Sequence, residues 1–566
     1  MKNWLLILLL WPLTLAAQPM TMNSPMRRTL PSPPLVTTTS GTTFYVDPGG
    51  NNANTGLSLG QAWLTTSYAL TNAATTNSWF TNATTILWTG GDVFTDTNAV
   101  GYFDAIKYPV LLCGSGSSKA VLSNYFMQQP AAGNGWTVKL YEPSLVTISN
   151  LDFTGQQPWL VTQQSSNSGF EALQVCVTNG AHCSNDLVTD CLFNYGYNGF
   201  HCYTASNNGA ANGWLSNVTV LSCVFNSNIN TGFQTESFDD DLNQNNLNMG
   251  GYLYAITVSN CVFSNIVGDA EFGAGGFGVF FLNASNAFAT GCIVHDGGEN
   301  AEFQTGGGSA GLIAARSFNV TFSSNEVYAY HWNGSTDGDG IDFDLNCFGC
   351  TAEYNYVHGC DGAGFYSYDA YGDNVWRFNV CVSNASKNFA EFTVNNNANT
   401  PTNYQIYNNN FIGLVRDPVQ ILCAMGGSNI FVNNIFFTTN LDYVIYTVDT
   451  THVTFQTNDY WSGQAAGACA FYWNGTVYAT VTAWHTGTGQ DKATPFNADP
   501  KWVNGYAVPT LLPSQFSSTT DWTLLSASSP LLNQATGPYA FPNGGIDWLG
   551  NALGATFNVG AVNASQ

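Results

Sequence analysis

This chain has little charge. Lys, Arg, Asp and Glu make up only 8% of its 566 residues, and they are lopsided, 12 basic against 36 acidic, for a formal net charge of −24. Beyond residue 42 the basic residues are Lys107, Lys119, Lys139, Arg316, Arg377, Lys387, Arg416, Lys492 and Lys501, scattered singly. No basic patch can be built from them, which excludes nucleic acid as a partner, because phosphate binding rests on clustered Lys and Arg. A polyanionic sugar is disfavoured for the same reason unless cations bridge it; a neutral polysaccharide is not. Long apolar runs are also scarce. After the stretch from Trp4 to about Leu15, none reaches the ~20 residues needed to span a bilayer. The opening MKNWLLILLLWPLTLAAQ reads as a secretory signal over 1–17, and the Thr-, Pro- and Ser-rich stretch 18–42 as a disordered linker. Together these predict a secreted or cell-surface protein, without a membrane span and monomeric.

A short phrase is abundant instead. VTISNLDF, LVTDCLF, TVLSCVF, ITVSNCVF, AFATGCIV, VTFSSNEVY, AEYNYVH, WRFNVCV, QIYNNNFI and IFVNNIFF succeed one another between residues 146 and 437. Each places a small polar pivot between β-formers: Asn150, Asp190, Ser222, Asn260, Gly291, Asn325, Asn355, Asn379, Asn409 and Asn434, at intervals of 24 to 40 residues. Asn, Asp and Gly tolerate the left-handed conformation that turns a strand through a corner. A unit of this length cannot bury its own apolar face and must stack on its neighbours. A second phrase, from GFEAL at 169 through GFHCY, GFQTE, GFGVF, GLIAA, GIDFD and GFYSY to NFAEF at 388, supplies another strand before each pivot. Three strands per coil, parallel from coil to coil, predict an all-β right-handed parallel β-helix with three sheets, ten or more coils and an Asn-rich turn ladder. Residues 43–115 would form its N-terminal cap, 116–440 the coils, and 441–566 an irregular segment packed on the last coils. Loops at 261–275, 292–310 and 326–339 would wall one edge of the first sheet, opposite an excursion at 237–251. Of the fourteen cysteines, Cys191, Cys223, Cys261 and Cys292 follow successive pivots and should form a column, packed as small apolar groups or paired. Cys347 and Cys350 lack the second pair of a zinc site and read as a disulfide or free thiols.

The segments FYVDPGGNNANTGLSLGQAW (44–63), GGDVF (90–94), ADPKWVN (498–504), SSPLLNQA (528–535) and DWLGN…FNVGAV (547–562) resemble those of secreted bacterial right-handed parallel β-helix proteins of the pectate-lyase-like superfamily. The resemblance implies the fold. It leaves function open, because the superfamily includes lyases, glycosidases, esterases, epimerases and non-catalytic adhesins.

The chemistry concentrates in STDGDGIDFD (335–344). Asp342 and Asp344, at i and i+2 of one strand, should project from one face about 7 Å apart, a separation suited to an inverting glycosidase pair. Asp339 and, one coil on, Asp361 in HGCDGAGFYSY would hold water or an ion. Crowded carboxyls cannot all ionise, so at least one should be a weak acid. The pattern also resembles polygalacturonase-type glycosidases at Asp339-Gly340-Ile341-Asp342 and Gly359-Cys360-Asp361. It departs from them where Cys360 stands in the general acid's place and KNFAEF (387–392) replaces the later basic motifs. Asp337 and Asp339, in an Asp-Gly-Asp-Gly turn, are also candidate Ca²⁺ ligands. Arg316, Trp332, His358, Tyr366, Tyr368 and Glu236 are candidate substrate contacts. The expected function is hydrolysis of a neutral or weakly acidic polysaccharide. The alternatives are a Ca²⁺-dependent polysaccharide lyase using Arg316, Arg377 or Lys387 as base, and a non-catalytic surface or adhesion β-helix.

Overall fold

The computed structural model describes residues 41–563 apart from 76–81, 96–98, 104–107, 124–134, 156–169, 179, 206–212, 239–252, 269–274, 301–307, 333–336, 440–442, 463–468, 492–495, 503–524, 536–544, 549, 551 and 555. The expected signal and nearly all of the linker lie outside the described residues, as do 239–251 of the excursion expected at 237–251 and parts of the three expected wall loops.

Alternation along each strand builds the molecule. In the first strands every second residue is large and apolar, and parallel pairing stacks these into an inward ladder: Leu173, Phe200, Phe233, Val279, Leu312, Ile341 and Phe365, all fully buried. The strands form three long parallel sheets. The first runs from Ala99–Tyr102 to Ala470–Trp473, the second from Thr42–Val46 to Val453–Gln456, and the third from Val93–Phe94 to Asp459–Trp461. The chain is a parallel β-helix, and its coils continue past the expected limit of about 440 through strands Tyr443–Thr447 and Ala470–Trp473. A small fourth sheet, from His182–Ser184 to Ala284–Ser285, was not foreseen. Helix Thr66–Thr75 sets Ala69 and Leu70 into one end of the core, and helix Val481–Thr488 stacks Trp484 on Phe471 at 4.5 Å near the other. Among the described residues, no helix is long and apolar enough to cross a membrane.

The corner departs from the expected register halfway along. Asn150, Asp190, Ser222, Asn260 and Gly291 are left-handed, with φ of 52°, 52°, 53°, 52° and 66°. In the next five coils that conformation belongs to Ser324, Tyr354, Phe378, Asn408 and Asn433, one residue earlier than the expected pivots. Asn325, Asn355, Asn379, Asn409 and Asn434 then point inward as a buried ladder. Asn355 Oδ1 accepts from the backbone N and Nδ2 of Asn325 at 3.0 and 3.1 Å, while its own Nδ2 donates to Phe322 O at 2.9 Å. An inward amide satisfies corner groups that would otherwise be buried without partners. In the preceding coils the cysteine column fills this position, and Cys292 N donates to Asn325 Oδ1 at 2.9 Å where the two systems meet. All fourteen cysteines, Cys347 and Cys350 included, are buried and unpaired. Residues of the C-terminal segment pack on the later coils: Trp502, Leu525 and Leu531 join Val380, Ile412 and Phe437 in one apolar cluster.

Candidate active site

Outside the first sheet, register aligns Gln174, His201, Gln234, Phe280, Ile313, Asp342 and Tyr366 in one column. Beside it run Cys176, Tyr203 and Glu236, then Ala315, Asp344 and Tyr368. Asp342 and Asp344 therefore share the outer face of strand Asp339–Asp344, as expected. The phrase GFEAL misleads in one coil, where Leu173 points inward and Gln174 takes the outward position.

Asp342 is only 6% exposed, and among the described residues its Oδ1 has no hydrogen-bond partner. Asp344 is half-buried and accepts from Leu345 N at 2.7 Å. Asp339, at the strand's start, accepts from Ala363 N at 2.5 Å through Oδ1, while its buried Oδ2 has no partner. Gly338, at φ 102°, turns the chain between Asp337 and Asp339 in a conformation only glycine adopts easily. A Cβ on Gly362 would fall 2.4 Å from Asp339 Oδ1, so that position needs glycine for the carboxyl to fit. Burial, reinforced by the neighbouring carboxylates, holds Asp342 and Asp339 well above the usual carboxylate range. Burial also lifts Asp344, but the Leu345 N–H and the Arg316 charge oppose it, and it settles at about 7. The expected weak acid is thus present three times over.

Arg316 sits at the left-handed corner after the neighbouring strand (φ 50°), with its Nε buried and without a hydrogen-bond partner. Trp332 is half-buried and donates its backbone N–H to Asp361 Oδ2 at 3.2 Å. Asp361 also receives the Ser386 hydroxyl and lies 3.5 Å from His331 Nδ1, so its carboxylate braces the loops beside the sheet. Tyr366 pairs with Asp342 and Tyr368 with Asp344, but Tyr366 stacks on Phe389 at 4.7 Å and is 6% exposed, so that face of its ring is taken. His358 is elsewhere, in the third sheet, stacked on Tyr328 and Tyr356 with Nε2 3.2 Å from Glu326. Glu236 lies on the site's face, three coils away, against His201 at 3.2 Å. Arg377 is committed to a buried pair with Glu353 at 2.6 Å on the second sheet. Cys360 is fully buried in the core, so the residue standing in the polygalacturonase acid's place cannot meet substrate. For Ca²⁺, the oxygens of Asp337 and Asp339 are the right donor chemistry. Among the described residues, however, no three acidic, His or Cys side chains are spaced as a metal-ligand set.

No family model and no curated protein sequence matches the chain. Among solved structures it is similar to the GH136 lacto-N-biosidase from Eubacterium ramulus, in native and selenomethionine forms. The TM-scores are 0.51 and 0.50, at 14% identity, over 74% of this chain and 67% and 68% of theirs. The complex of XylC with xylose aligns over 92% of this chain and 98% of its own, at 10% identity and a TM-score of 0.48. Identities this low speak to fold alone. With its three stacked parallel sheets, that likeness establishes the chain as a right-handed parallel β-helix.

Proposed function

We propose that this is a secreted, carbohydrate-active β-helix that hydrolyses a neutral or weakly acidic polysaccharide across strands 339–344 and 365–368. The observation that carries the reading is the Asp342/Asp344 pair: two carboxyls on one face, roughly 7 Å apart, made unequal by their surroundings. Asp342, kept protonated by burial, is the general acid that protonates the departing glycosidic oxygen. Asp344, partly ionised near neutral pH and favoured in that form by Arg316, takes the proton of the attacking water. Such spacing leaves room for that water and implies inversion at the anomeric carbon. Asp337 raises the proton affinity of both carboxyls through its charge. The name of the GH136 neighbour, a lacto-N-biosidase, is compatible with glycosidase chemistry on such a scaffold.

A polysaccharide-panel digest tests this, reading both reducing ends and ultraviolet absorbance for the wild type, Asp342→Asn and Asp344→Asn. New reducing ends without absorbance are expected, insensitive to chelator, with each variant slowed by roughly 10²–10⁴-fold. Unsaturated, absorbing products that vanish in chelator would establish instead a Ca²⁺-dependent lyase, for which Arg316 is the basic residue beside the carboxyls. Silence across the panel would leave a binding or adhesive rod.

A further inference from the structure

Three to five coils before the aspartates, the same outer face carries a second polar cluster that the proposed chemistry does not use. His201 Nδ1 lies 3.3 Å from Glu171 Oε1 and its Nε2 lies 3.2 Å from Glu236 Oε2. Asn198 Nδ2 donates to the same Glu171 oxygen at 3.1 Å, and Gln234 Nε2 donates to Glu236 Oε2 at 3.2 Å. Burial acts against the imidazolium, but the two carboxylates outweigh it and carry His201 to about 10, so one positive charge stands between two negative ones. Lys139, the neighbour of Gln174 in the next strand, is held over the rings of Trp136 and Tyr141 at 4.6 and 4.7 Å.

Among the described residues, two acceptors in this cluster have no donor, Glu171 Oε2 and Gln174 Oε1, on side chains only 6% and 7% exposed. A purely structural ion network would be expected to satisfy its buried oxygens, since leaving one unpaired costs ~1–3 kcal/mol. The next strands present an apolar strip of Phe277, Phe280, Ala310 and Ile313. Beyond it, Asp342 Oδ1 and Asp339 Oδ2 are again unpartnered. Acceptors, apolar strip, acceptors is the complement of a sugar chain, whose rings offer C–H faces and hydroxyl donors.

We propose that Glu171, Gln174 and the His201–Glu236 pair form a distal subsite that accepts hydroxyl hydrogen bonds from an uncharged sugar unit, ~14 Å along the groove from Asp342 at Glu236 and ~24 Å at Glu171 and Gln174. This rests on the hydrolase reading for its substrate class and narrows it. Leaving aside Lys139, which is held over the rings of its own strand, the Glu171 and Glu236 carboxylates outnumber the His201 imidazolium, whose Nε2 faces Glu236, and the open oxygens of Glu171 and Gln174 only accept, so a uronate set against them meets repulsion.

Calorimetry with Asp342→Asn tests the subsite, using hexasaccharides of xylose, glucose, mannose and galactose and a galacturonic acid hexamer. One neutral hexamer is expected to bind, its trisaccharide about tenfold or more weakly, and the galacturonate weakest of all. Adding Glu171→Gln or Gln174→Ala should each weaken the neutral hexamer about tenfold while the protein stays folded at the temperature of the titration. The first substitution removes a charge at constant shape and the second leaves every charge in place. If both impair folding, the length dependence and the neutral preference of the unsubstituted cluster still decide. Failure of all neutral hexamers to bind, equal or tighter binding of the galacturonate, or indifference to both substitutions overturns the subsite. The hydrolase reading fails separately, by polymer cleavage that survives Asp342→Asn.

Discussion

Burial acts on Asp342 and Asp344 in the same direction but unequally, and the inequality makes predictions about stability as well as rate. A carboxyl whose folded value lies above its unfolded value, near 3.9, binds its proton more tightly when folded. It favours the fold at low pH, and that advantage is lost as pH climbs from ~4 through the folded value, which for Asp344 is about 7. Asp342→Asn and Asp344→Asn should therefore match the wild type in melting near pH 4. Near pH 8 each should exceed it, by about 1–2 kcal/mol for the half-exposed Asp344. Thermal melts at the two pH values check this; variants less stable at pH 8 would mean that these carboxyls are ionised and well partnered. The same titration should appear in the rate. Activity falls on the acid side as Asp344 is protonated, and Arg316→Gln, which removes a charge that holds Asp344 down, should move that limb of the kcat/KM profile to higher pH. An unmoved limb would detach Arg316 from the base.

One corner of the helix is held by two chemistries, thiols up to Cys292 and amides from Asn325, and the two should respond differently to truncation. Asn379 Oδ1 accepts from the N and Nδ2 of Asn355, and Asn379 Nδ2 donates to Ala352 O, all at 2.9–3.1 Å. Asn379→Ala strands those groups in the core and should cost about 3 kcal/mol or more, at ~1–3 kcal/mol for each unsatisfied polar group. Cys261→Ala removes one small sulfur, which contacts Ser259 O at 3.3 Å and Val220 O at 3.8 Å and accepts weakly from Cys223 N at 3.4 Å, and should cost only about 1–2 kcal/mol. Unfolding rates in denaturant compare the two; equal effects would make the ladder mere packing. The corner also shows where sequence reasoning reaches its limit. The repeat and its parallel stacking were readable from the β-former phrases, and the shared face of Asp342 and Asp344 from alternation. The one-residue shift at Ser324 was not, because an Asn that turns the chain and an Asn buried beside the turn look alike in sequence. Tyr354 and Phe378 defeat the rule outright, taking left-handed φ of 57° and 51° despite their bulk, where both pack in one cluster with Tyr407 and Val432. His358 and Arg377 were drawn to the site by nearness in sequence, whereas a coil carries residues only a few positions apart onto different sheets. The Glu171–His201 contact joins neighbouring coils 30 residues apart, a pairing that only register reveals.

A whole molecule built as stacked coils needs no covalent cross-links, because each coil buries its neighbours' apolar faces and both ends are covered. This chain carries fourteen thiols and pairs none of them. Burial makes most of them poor acids, pushing Cys113 up to about 11 and Cys183 and Cys423 to about 12. The reactive form of cysteine is the thiolate, so burial denies all fourteen access to reagent and keeps most of them in the unreactive thiol form. A chain read as secreted is expected to tolerate an oxidising compartment by hiding its cysteines rather than joining them. Two measurements follow. Reductant should leave the melting temperature unchanged, and a thiol reagent at pH 8 should label almost none of the fourteen in the folded protein and all of them after denaturation. A drop in melting temperature with reductant, or fewer than fourteen thiols in the unfolded chain, would reveal pairing and place part of the stability in bonds rather than in stacking. Slow labelling without denaturant would instead time the opening of individual coils, as expected of a stack whose units contact only their neighbours.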